Sequence, residues 1–287
     1  MRLILSRKGF DSQYGGVASP IFPDGRILPL PIPSPGESMR MGDIRLEGVD
    51  VGSLVADLSN GRCNDASTIH MDPDLSANTI VGRHIGWMPA FGQVGAAQSH
   101  LEGQGVSTGD LFLFFGWFRR VEQMAGRWRF CSSAADLHVL FGWLQVGEVV
   151  RVLDGTKALL ARPWLKGHPH VEGQEGYAAN NTIYTASPRL SLSNAQELPG
   201  GGAFAHFDPV RCLTAPGATR SYWSLPAALK PVEGRPSLTY HGNPARWHSH
   251  GDQVMLQTVG KGQEFVLHCE HYPGVEQWLI SLFHGHK

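Results

Sequence analysis

Apolar positions along the chain form short runs that predict a strand-rich protein with a few helices. Residues 3–5, 109–118 and 138–153 are dense in aromatic and β-branched side chains, which is typical of buried strands. The two longer runs each contain a Gly-Trp pair, and a glycine inside a strand often indicates a bulge. We therefore expect a central β core over residues 109–153.

Three other segments have apolar residues at helical spacing. Residues 51–58 repeat apolar side chains every three or four positions after Asp50, a residue suited to cap a helix. Residues 93–103 predict a second short helix, and residues 275–283 predict an amphipathic C-terminal helix that covers the sheet. We expect one α+β domain over residues 1–287, strand-rich, with a central mixed or antiparallel sheet or barrel.

Composition narrows the classes of protein. The 35 glycines and 19 prolines are dispersed, which indicates many turns. The net charge of -1 excludes a global positive field, so any contact with nucleic acid needs a local patch. No CxxC pair is present among the four cysteines. The first apolar run is too short for a signal peptide, and no run approaches a membrane span of roughly 18 residues. These observations predict a soluble, cytoplasmic protein.

Charged residues and glycines follow the first predicted strand directly. The glycines let backbone amides approach a ligand, Arg7 and Lys8 are suited to phosphate, and Asp11 is suited to a ribose hydroxyl or to a base role. The alternative is an edge loop whose charges face water. The candidate binding residues of this loop are Ser6, Arg7, Lys8, Gly9, Gly15 and Gly16, with Asp11 as a candidate catalytic residue.

A second polar stretch is "STIHMDPDL". Pro73 biases Asp72 toward an extended conformation, which predicts that His70, Asp72 and Asp74 lie on one side of the backbone. An imidazole with two carboxylates serves acid–base catalysis or binds a divalent cation. The alternative is a polar turn capped by the two aspartates.

Other histidines offer weaker signals. His100 lies late in the second predicted helix, where a cation is favourable, and is either a surface residue or a catalytic candidate. Three HxH pairs also occur, at residues 168 and 170, 248 and 250, and 284 and 286. Pro169 argues against a central strand for the first pair, so we expect no structural zinc site.

Aromatic and basic residues alternate in "FFGWFRR" and "GRWRF". Such side chains stack on bases while they contact phosphates, which makes Trp117, Phe115 and Arg119 candidates for binding. The alternative is a hairpin whose aromatics pack inward and whose arginines are solvated.

Long motifs along most of the chain resemble one protein family. They include "LILSRKGFDSQYGGVASPIFPDG", "HMDPDL", "FGQVGAAQSHL", "GDLFLFFGWFR", "HVLFGWLQVGE", "NNTIYTA", "RLSLS" and "KGQEFV". The chain resembles the third of the bacterial and phage nucleotide modification associated domain families. This resemblance implies a role in the modification of nucleotides or nucleic acid, without a reaction that can be carried over. The family's recurring polar positions correspond to Arg7, Lys8, Asp11, His70, Asp72, Asp74, His100, Gln263 and Glu264.

A weaker similarity concerns the centre of the chain. The sequence "GDLFLFFGWF" followed by "HVLFGWLQVGEVV" is similar to PUA-like or EVE domains, which are small barrels that hold a modified or flipped base. It covers only about forty residues and can arise in any β-barrel.

Three function hypotheses follow. The first is an enzyme acting on a nucleotide or base by group transfer or glycosidic-bond chemistry, with Asp11, His70 and Asp72 in one site. The second is a reader of a modified base without chemistry, and the third is a hydrolase that uses a metal on Asp72, Asp74 and a histidine pair. A nucleotide-type donor is expected before a divalent metal, and the expected partner is a nucleotide or nucleic acid rather than a membrane.

Overall fold

The computed structural model describes residues 1–153, 159–172, 176–260 and 262–284, and its main element is a mixed sheet. The sheet's main path has the order β14-β1-β6-β8-β9-β5, with β2 and β7 paired to β6 and β10 paired to β8. The strands of this sheet are β1 (Arg2–Arg7), β2 (Ser19–Ile21), β5 (Ala90–Gln93), β6 (Leu111–Met124), β7 (Arg127–Phe130), β8 (Leu137–Arg151), β9 (Thr182–Ala186), β10 (Gly201–Ala203) and β14 (Glu264–His268).

Shorter elements complete the fold. Two small sheets pair β3 (Ile32–Pro33) with β4 (Ile69–His70), and β11 (Tyr222–Pro226) with β13 (Gln253–Gln257) and β12 (Trp247–His250). The helices described in full are α1 (Val51–Ser59), α2 (Gly95–Gly103), α3 (Pro169–Glu172) and α4 (Val275–Leu282). The predicted α+β class, the long central strands and the C-terminal helix are therefore confirmed.

The long strands β6 and β8 pair antiparallel through the centre, while β1 lies parallel to β6. The ladder between β6 and β8 shifts register at Phe114 and Phe115, next to the Gly-Trp pair of β6. The bulge predicted for this region is present, and it opposes Phe141 on β8, next to that strand's own Gly-Trp pair.

The sheet curls until its two edge strands meet. The Gln93 side chain on β5 donates a hydrogen bond to Glu264 Oε1 on β14 at 2.7 Å. One apolar cluster takes side chains from all six strands of the main path, so these side chains fill a common interior. Its members on the path are Ile4, Phe91, Phe112, Phe114, Leu144, Val146, Tyr184, Ala186 and Val266, with Val139 and Phe141 of β8.

The opposite face of the sheet is covered by α4 and the three-stranded sheet. Because side chains alternate along a strand, Leu3 and Leu5 point to this face while Ile4 points to the interior. The predicted stripe of α4 packs here through Val275, Leu279 and Leu282, which are fully buried. No helix in the described part of the chain is both long and apolar enough to cross a membrane.

Helix α1 shows how local sequence determines its start. The Asp50 side chain accepts a hydrogen bond from Ser53 N at 3.1 Å, which satisfies one of the helix's free amides, and the helix ends at Asn60 in the left-handed conformation. Its apolar stripe packs against the loop that follows β1. The helix therefore stabilises the loop that follows β1 through contacts with Phe10 and Val17.

Candidate functional site

Four side chains from two distant parts of the chain meet at one buried place, which we call the His–Asp cluster: His70, Asp72, His168 and His170. His70 ends the short strand β4, and Asp72 follows two residues later. His168 Nε2 lies 3.5 Å from Asp72 Oδ1, and His170 Nε2 lies 3.8 Å from Asp72 Oδ2. The carboxylate, only 7% exposed, is thus surrounded by imidazoles.

Glycine in β5 makes this approach possible. The Gly92 amide donates a hydrogen bond to Asp72 Oδ1 at 2.7 Å. A Cβ atom at Gly92 would lie 2.3 Å from the His170 ring, so a larger residue would displace that ring. The absence of a side chain at Gly92 therefore lets His170 lie against the strand next to Asp72.

Outer contacts fix the orientation of two rings. His70 Nδ1 contacts Glu37 Oε1 at 2.8 Å, and a carboxylate only accepts, so Nδ1 is the donor. His170 Nδ1 contacts Asn181 Oδ1 at 2.6 Å, while the Asn181 amide nitrogen donates to the His170 carbonyl at 2.8 Å. In the neutral form of either ring, the proton therefore lies on Nδ1 and the electron pair lies on Nε2.

The surroundings of the cluster shift the pKa values of Asp72 and His170. Burial alone would raise the pKa of Asp72, but contact with His168 and the influence of the neighbouring imidazoles lower it to about 2. Burial lowers the pKa of His170 to about 4, against the opposing effect of Asp72. At neutral pH the cluster therefore contains a carboxylate beside a neutral imidazole.

Two cavities adjoin the cluster. The first, of about 230 Å³, has Asp72, Pro73 and Asp74 in its wall and is otherwise mainly apolar. The second, of about 130 Å³, is lined by Asp74, His168 and two tryptophans, Trp87 and Trp164, and we call it the tryptophan cavity. A small ligand in either space would contact a residue of this polar stretch.

Asp74 does not join the His–Asp cluster, contrary to the expected common side with His70 and Asp72. Its two carboxylate oxygens each accept a hydrogen bond from Arg83 at 2.5 Å, and Trp87 Nε1 donates to it at 3.0 Å. The polar stretch therefore divides, because the backbone of Asp74 pairs with Ala90 and carries its side chain to Arg83.

Lys8 and Glu264 form a second buried polar group, the Lys–Glu pair, inside the curled sheet. Lys8 Nζ lies 3.0 Å from Glu264 Oε1 and 4.4 Å from the centre of the Phe91 ring. Among the described residues, Ser6 Oγ and Glu264 Oε2 are buried without a hydrogen-bond partner.

His100 lies next to this pair rather than beside Asp72. Its Nε2 contacts Thr239 Oγ1 at 3.2 Å, and burial lowers its pKa against the opposing influence of Glu264. The structure thus brings four sequence-predicted residues together here: Ser6, Lys8, His100 and Glu264.

The rest of the opening loop is occupied by contacts with its own chain. Asp11 accepts hydrogen bonds from the backbone amides of Gln13 and Tyr14 at 2.7 and 2.8 Å. Gly9, Gly15 and Gly16 have positive φ, and a Cβ at Gly15 would lie 2.2 Å from the Phe10 ring. These glycines are therefore required by the turn and its packing, and Asp11 is not a member of the His–Asp cluster.

The remaining predicted binding residues lie apart. Arg7 donates to the carbonyl of Gly262 at 3.2 Å, its amide bonds the carbonyl of Gln263, and the Gln263 side chain is exposed. Arg119 donates to the Cys131 carbonyl at 3.1 Å.

The aromatic candidates differ from the expectation. Trp117 is half-buried, donates to Asp136 at 2.8 Å and carries Arg220 over its ring at 4.0 Å. Phe115 is 1% exposed in the core, so the expectation that it stacks on a ligand is wrong.

Sequence analysis alone missed His168, His170, Glu37, Asn181 and Gln93. The pair at 168 and 170 was visible as HxH, and Asn181 stands in the "NNTIYTA" motif. In the sequence, Pro169 indicated that this pair does not lie on a central strand. In the structure, Pro169 begins the short helix α3, and this helix places His170 near Asp72.

Comparison with known proteins gives one match. A family model described as nucleotide modification associated domain 3 matches residues 2–268. No curated protein and no solved structure matches the chain.

Proposed function

The chain belongs to the nucleotide modification associated domain 3 family, and we propose that it is an enzyme that modifies a nucleotide or nucleobase at the His–Asp cluster. The matched residues include every member of this cluster and the walls of both adjoining cavities. The family supports a nucleotide or nucleic acid as the substrate, and the cluster offers side chains suited to the chemistry.

The observation that carries this proposal is the buried carboxylate of Asp72 among three imidazoles. Burying a carboxylate costs free energy unless charged or hydrogen-bonding partners compensate it. If stability alone were required, a single arginine could compensate the charge as well as three imidazoles do. Here the partners are titratable rings, of which His168 lines the tryptophan cavity, and burial holds another, His170, neutral. Perturbed titratable groups beside a cavity are the usual composition of an active site.

The cluster offers two kinds of chemistry to a substrate. An unprotonated Nε2 on His70 or His170 can accept a proton from an attacking or leaving group. The same electron pairs, together with the carboxylate, can bind a cation that activates a nucleophile. Both serve group transfer or cleavage of a glycosidic bond.

The tryptophan cavity provides a place for a base. Trp87 and Trp164 line it, and Arg83 lies 4.5 Å above the Trp87 ring. Stacking on aromatic rings favours any base because every base has a π face. A base held there would be in contact with His168, which places it beside Asp72.

The test is nucleoside mass spectrometry. Cellular tRNA, DNA and free nucleotides are incubated with the wild-type chain or with Asp72→Asn, with and without nucleotide donors. Asp110→Asn is the matched control, because Asp110 is also buried but contacts Arg2 and Ser107 outside the cluster. We expect a new or lost nucleoside with the wild type and with Asp110→Asn, but not with Asp72→Asn. No change in any substrate pool with the wild type would contradict the proposal.

A second function is a reader that binds a base in the tryptophan cavity without chemistry. The two tryptophans and Arg83 favour this alternative independently of Asp72. It predicts that Trp87→Ala loses retention of a nucleoside on the protein while Asp72→Asn retains it and no product forms.

A further inference from the structure

Three side chains of the His–Asp cluster bring possible ligand atoms close together. One ligand atom from each of His70, Asp72 and His170 lies within 4.8 Å of the other two. The hydrogen bonds of the other polar atoms of these side chains determine which atoms remain available as ligands.

Both rings have their Nδ1 atoms engaged from outside. Glu37 accepts from His70 Nδ1, and Asn181 accepts from His170 Nδ1, so the neutral form of each ring carries its electron pair on Nε2. Metal-binding histidines are commonly held in this way, with the second ring nitrogen donating to a carboxylate or carbonyl oxygen. The outer partners therefore prepare both rings as ligands.

The two oxygens of the Asp72 carboxylate also have different partners. Its Oδ1 accepts from the Gly92 amide at 2.7 Å and faces His168 Nε2 at 3.5 Å. His168 Nδ1 accepts from the His170 amide at 3.3 Å, so its proton lies on Nε2, and this buried atom has no hydrogen-bond partner. Oδ2 is therefore the oxygen left to face the ring of His170.

No hydrogen bond joins the converging atoms of Asp72 and His170. His170 Nε2 and Asp72 Oδ2 are 3.8 Å apart, which is too long for one, and both present electron pairs. Among the described residues, no lysine or arginine forms an ion pair with Asp72. A positive group between these atoms would remove the repulsion and compensate the buried charge.

We propose that His70 Nε2, His170 Nε2 and Asp72 Oδ2 bind one divalent ion of a first-row transition metal. Two imidazoles with one carboxylate suit zinc, iron, cobalt or manganese, whereas magnesium and calcium prefer oxygen ligands alone. Bonds of about 2.0–2.2 Å require the three ligand atoms, which lie within 4.8 Å of one another, to move closer together around the ion. This site deepens the proposed function and rests on it only for its use in catalysis.

The experiment measures metal binding directly on the full chain. Protein stripped with a chelator is titrated with Zn²⁺ alone or Co²⁺ alone, bound metal is counted by mass spectrometry, and Co²⁺ absorption reports the ligand field. We expect one ion per chain with the wild type. Less than half an ion per chain at saturation would overturn the site.

Variants show which residues bind the ion. His70 is half-buried, so His70→Gln removes a ligand with little effect on folding, and we expect at least tenfold weaker binding. Asp72→Asn should weaken binding further, and Asn181→Ala by roughly 10- to 100-fold through loss of ring orientation. His248→Gln, at an exposed histidine of β12, should bind as the wild type does. Equal binding by His70→Gln, Asp72→Asn and the wild type would overturn the site.

Failure of the metal site and failure of the proposed function give different results. Stoichiometric metal with no nucleoside change in any pool supports the site and contradicts the function. Nucleoside modification that persists at full rate in the stripped protein with chelator supports the function and contradicts a catalytic metal.

Discussion

The Lys–Glu pair and the His–Asp cluster contact opposite faces of β5 and compensate buried charge in different ways. The side chains of Phe91 and Gln93 contact Lys8 and Glu264, whereas Gly92 between them contacts Asp72 and His170. The first group joins one cation to one anion and ties β5 to β14. The second surrounds an anion with rings that retain free electron pairs.

From this difference we expect a structural role for the Lys–Glu pair and a chemical role for the His–Asp cluster. A buried pair of opposite charges in direct contact offsets part of the desolvation cost of each charge, although Glu264 Oε2 has no hydrogen-bond partner in the part of the chain that the structure describes. In the His–Asp cluster the imidazoles lie 3.5 and 3.8 Å from the carboxylate, so their atoms remain available to bind a proton, a cation or a substrate. Variants at both groups should therefore affect different properties: stability for the Lys–Glu pair and activity for the His–Asp cluster.

The largest effect is expected from Lys8→Met. It leaves Glu264, which is 1% exposed, as an uncompensated buried charge, so we expect a loss of about 3–5 kcal/mol in the free energy of unfolding. Urea unfolding measures it, and the double variant with Glu264→Gln should recover part of the loss. A loss below about 1 kcal/mol would show that the pair does not hold the sheet edges together.

Asp72→Asn should lower the rate of nucleoside modification by about 100-fold or more, which is about 2.7 kcal/mol on the activation barrier. Stability should change less than in Lys8→Met, because asparagine still accepts from the Gly92 amide. Quantitative mass spectrometry of the product and urea unfolding of the same preparation check both parts. If Asp72→Asn lost as much stability as Lys8→Met and kept full activity, the role of the His–Asp cluster would be structural and not chemical.

Gly92→Ala perturbs one face of β5 without removing any ligand or charge. The new methyl would overlap the His170 ring, so we expect a loss of about 1–3 kcal/mol in stability together with weaker metal binding. Thermal unfolding and Co²⁺ titration measure these effects. Gly103→Ala, where a Cβ meets open space, is the matched control and should bind Co²⁺ normally.

His241 tests what a buried histidine does when both nitrogens are satisfied. Its Nδ1 donates to the Thr239 carbonyl, its Nε2 accepts from the Val259 amide, and burial lowers its pKa to about 4. Below an unfolded pKa of about 6.5 the unfolded chain takes up a proton that the folded chain refuses. Stability should therefore fall as pH decreases from about 6.5 toward 4, by up to about 1.4 kcal/mol per pH unit from this residue.

The measurement is the slope of unfolding free energy against pH for the wild type and for His241→Gln. On unfolding in this pH range, the variant should take up about one proton fewer than the wild type does. An unchanged slope would show that His241 does not remain neutral in the folded chain.

Asp11→Asn should have the smallest effect. Asparagine can still accept from the amides of Gln13 and Tyr14, so we expect a stability change below about 0.5 kcal/mol and normal modification. Thermal unfolding and the nucleoside assay measure it. Loss of modification at normal stability would place the opening loop in the active site, as the sequence suggested.

The sequence by itself determined the elements whose cause is local. Helical spacing and the Asp50 cap predicted α1, the apolar stripe predicted α4, and aromatic runs predicted β6 and β8. The motifs also identified the family and marked His70, Asp72 and Glu264 as polar positions of interest. The helices and strands follow from short-range geometry, which each segment carries in its own residues, whereas the family and its polar positions follow from the resemblance of the motifs.

Only the tertiary structure decided which polar residues share a site. The ladder between β5 and β9, together with the turn into α3, brings His170 and Asn181 to Asp72, and the curl of the sheet brings Glu264 to Lys8. It also separates Asp74 and Asp11 from the cluster. Such contacts depend on register and chain path over long separations, and the pattern of any one segment does not encode which distant partner it will meet.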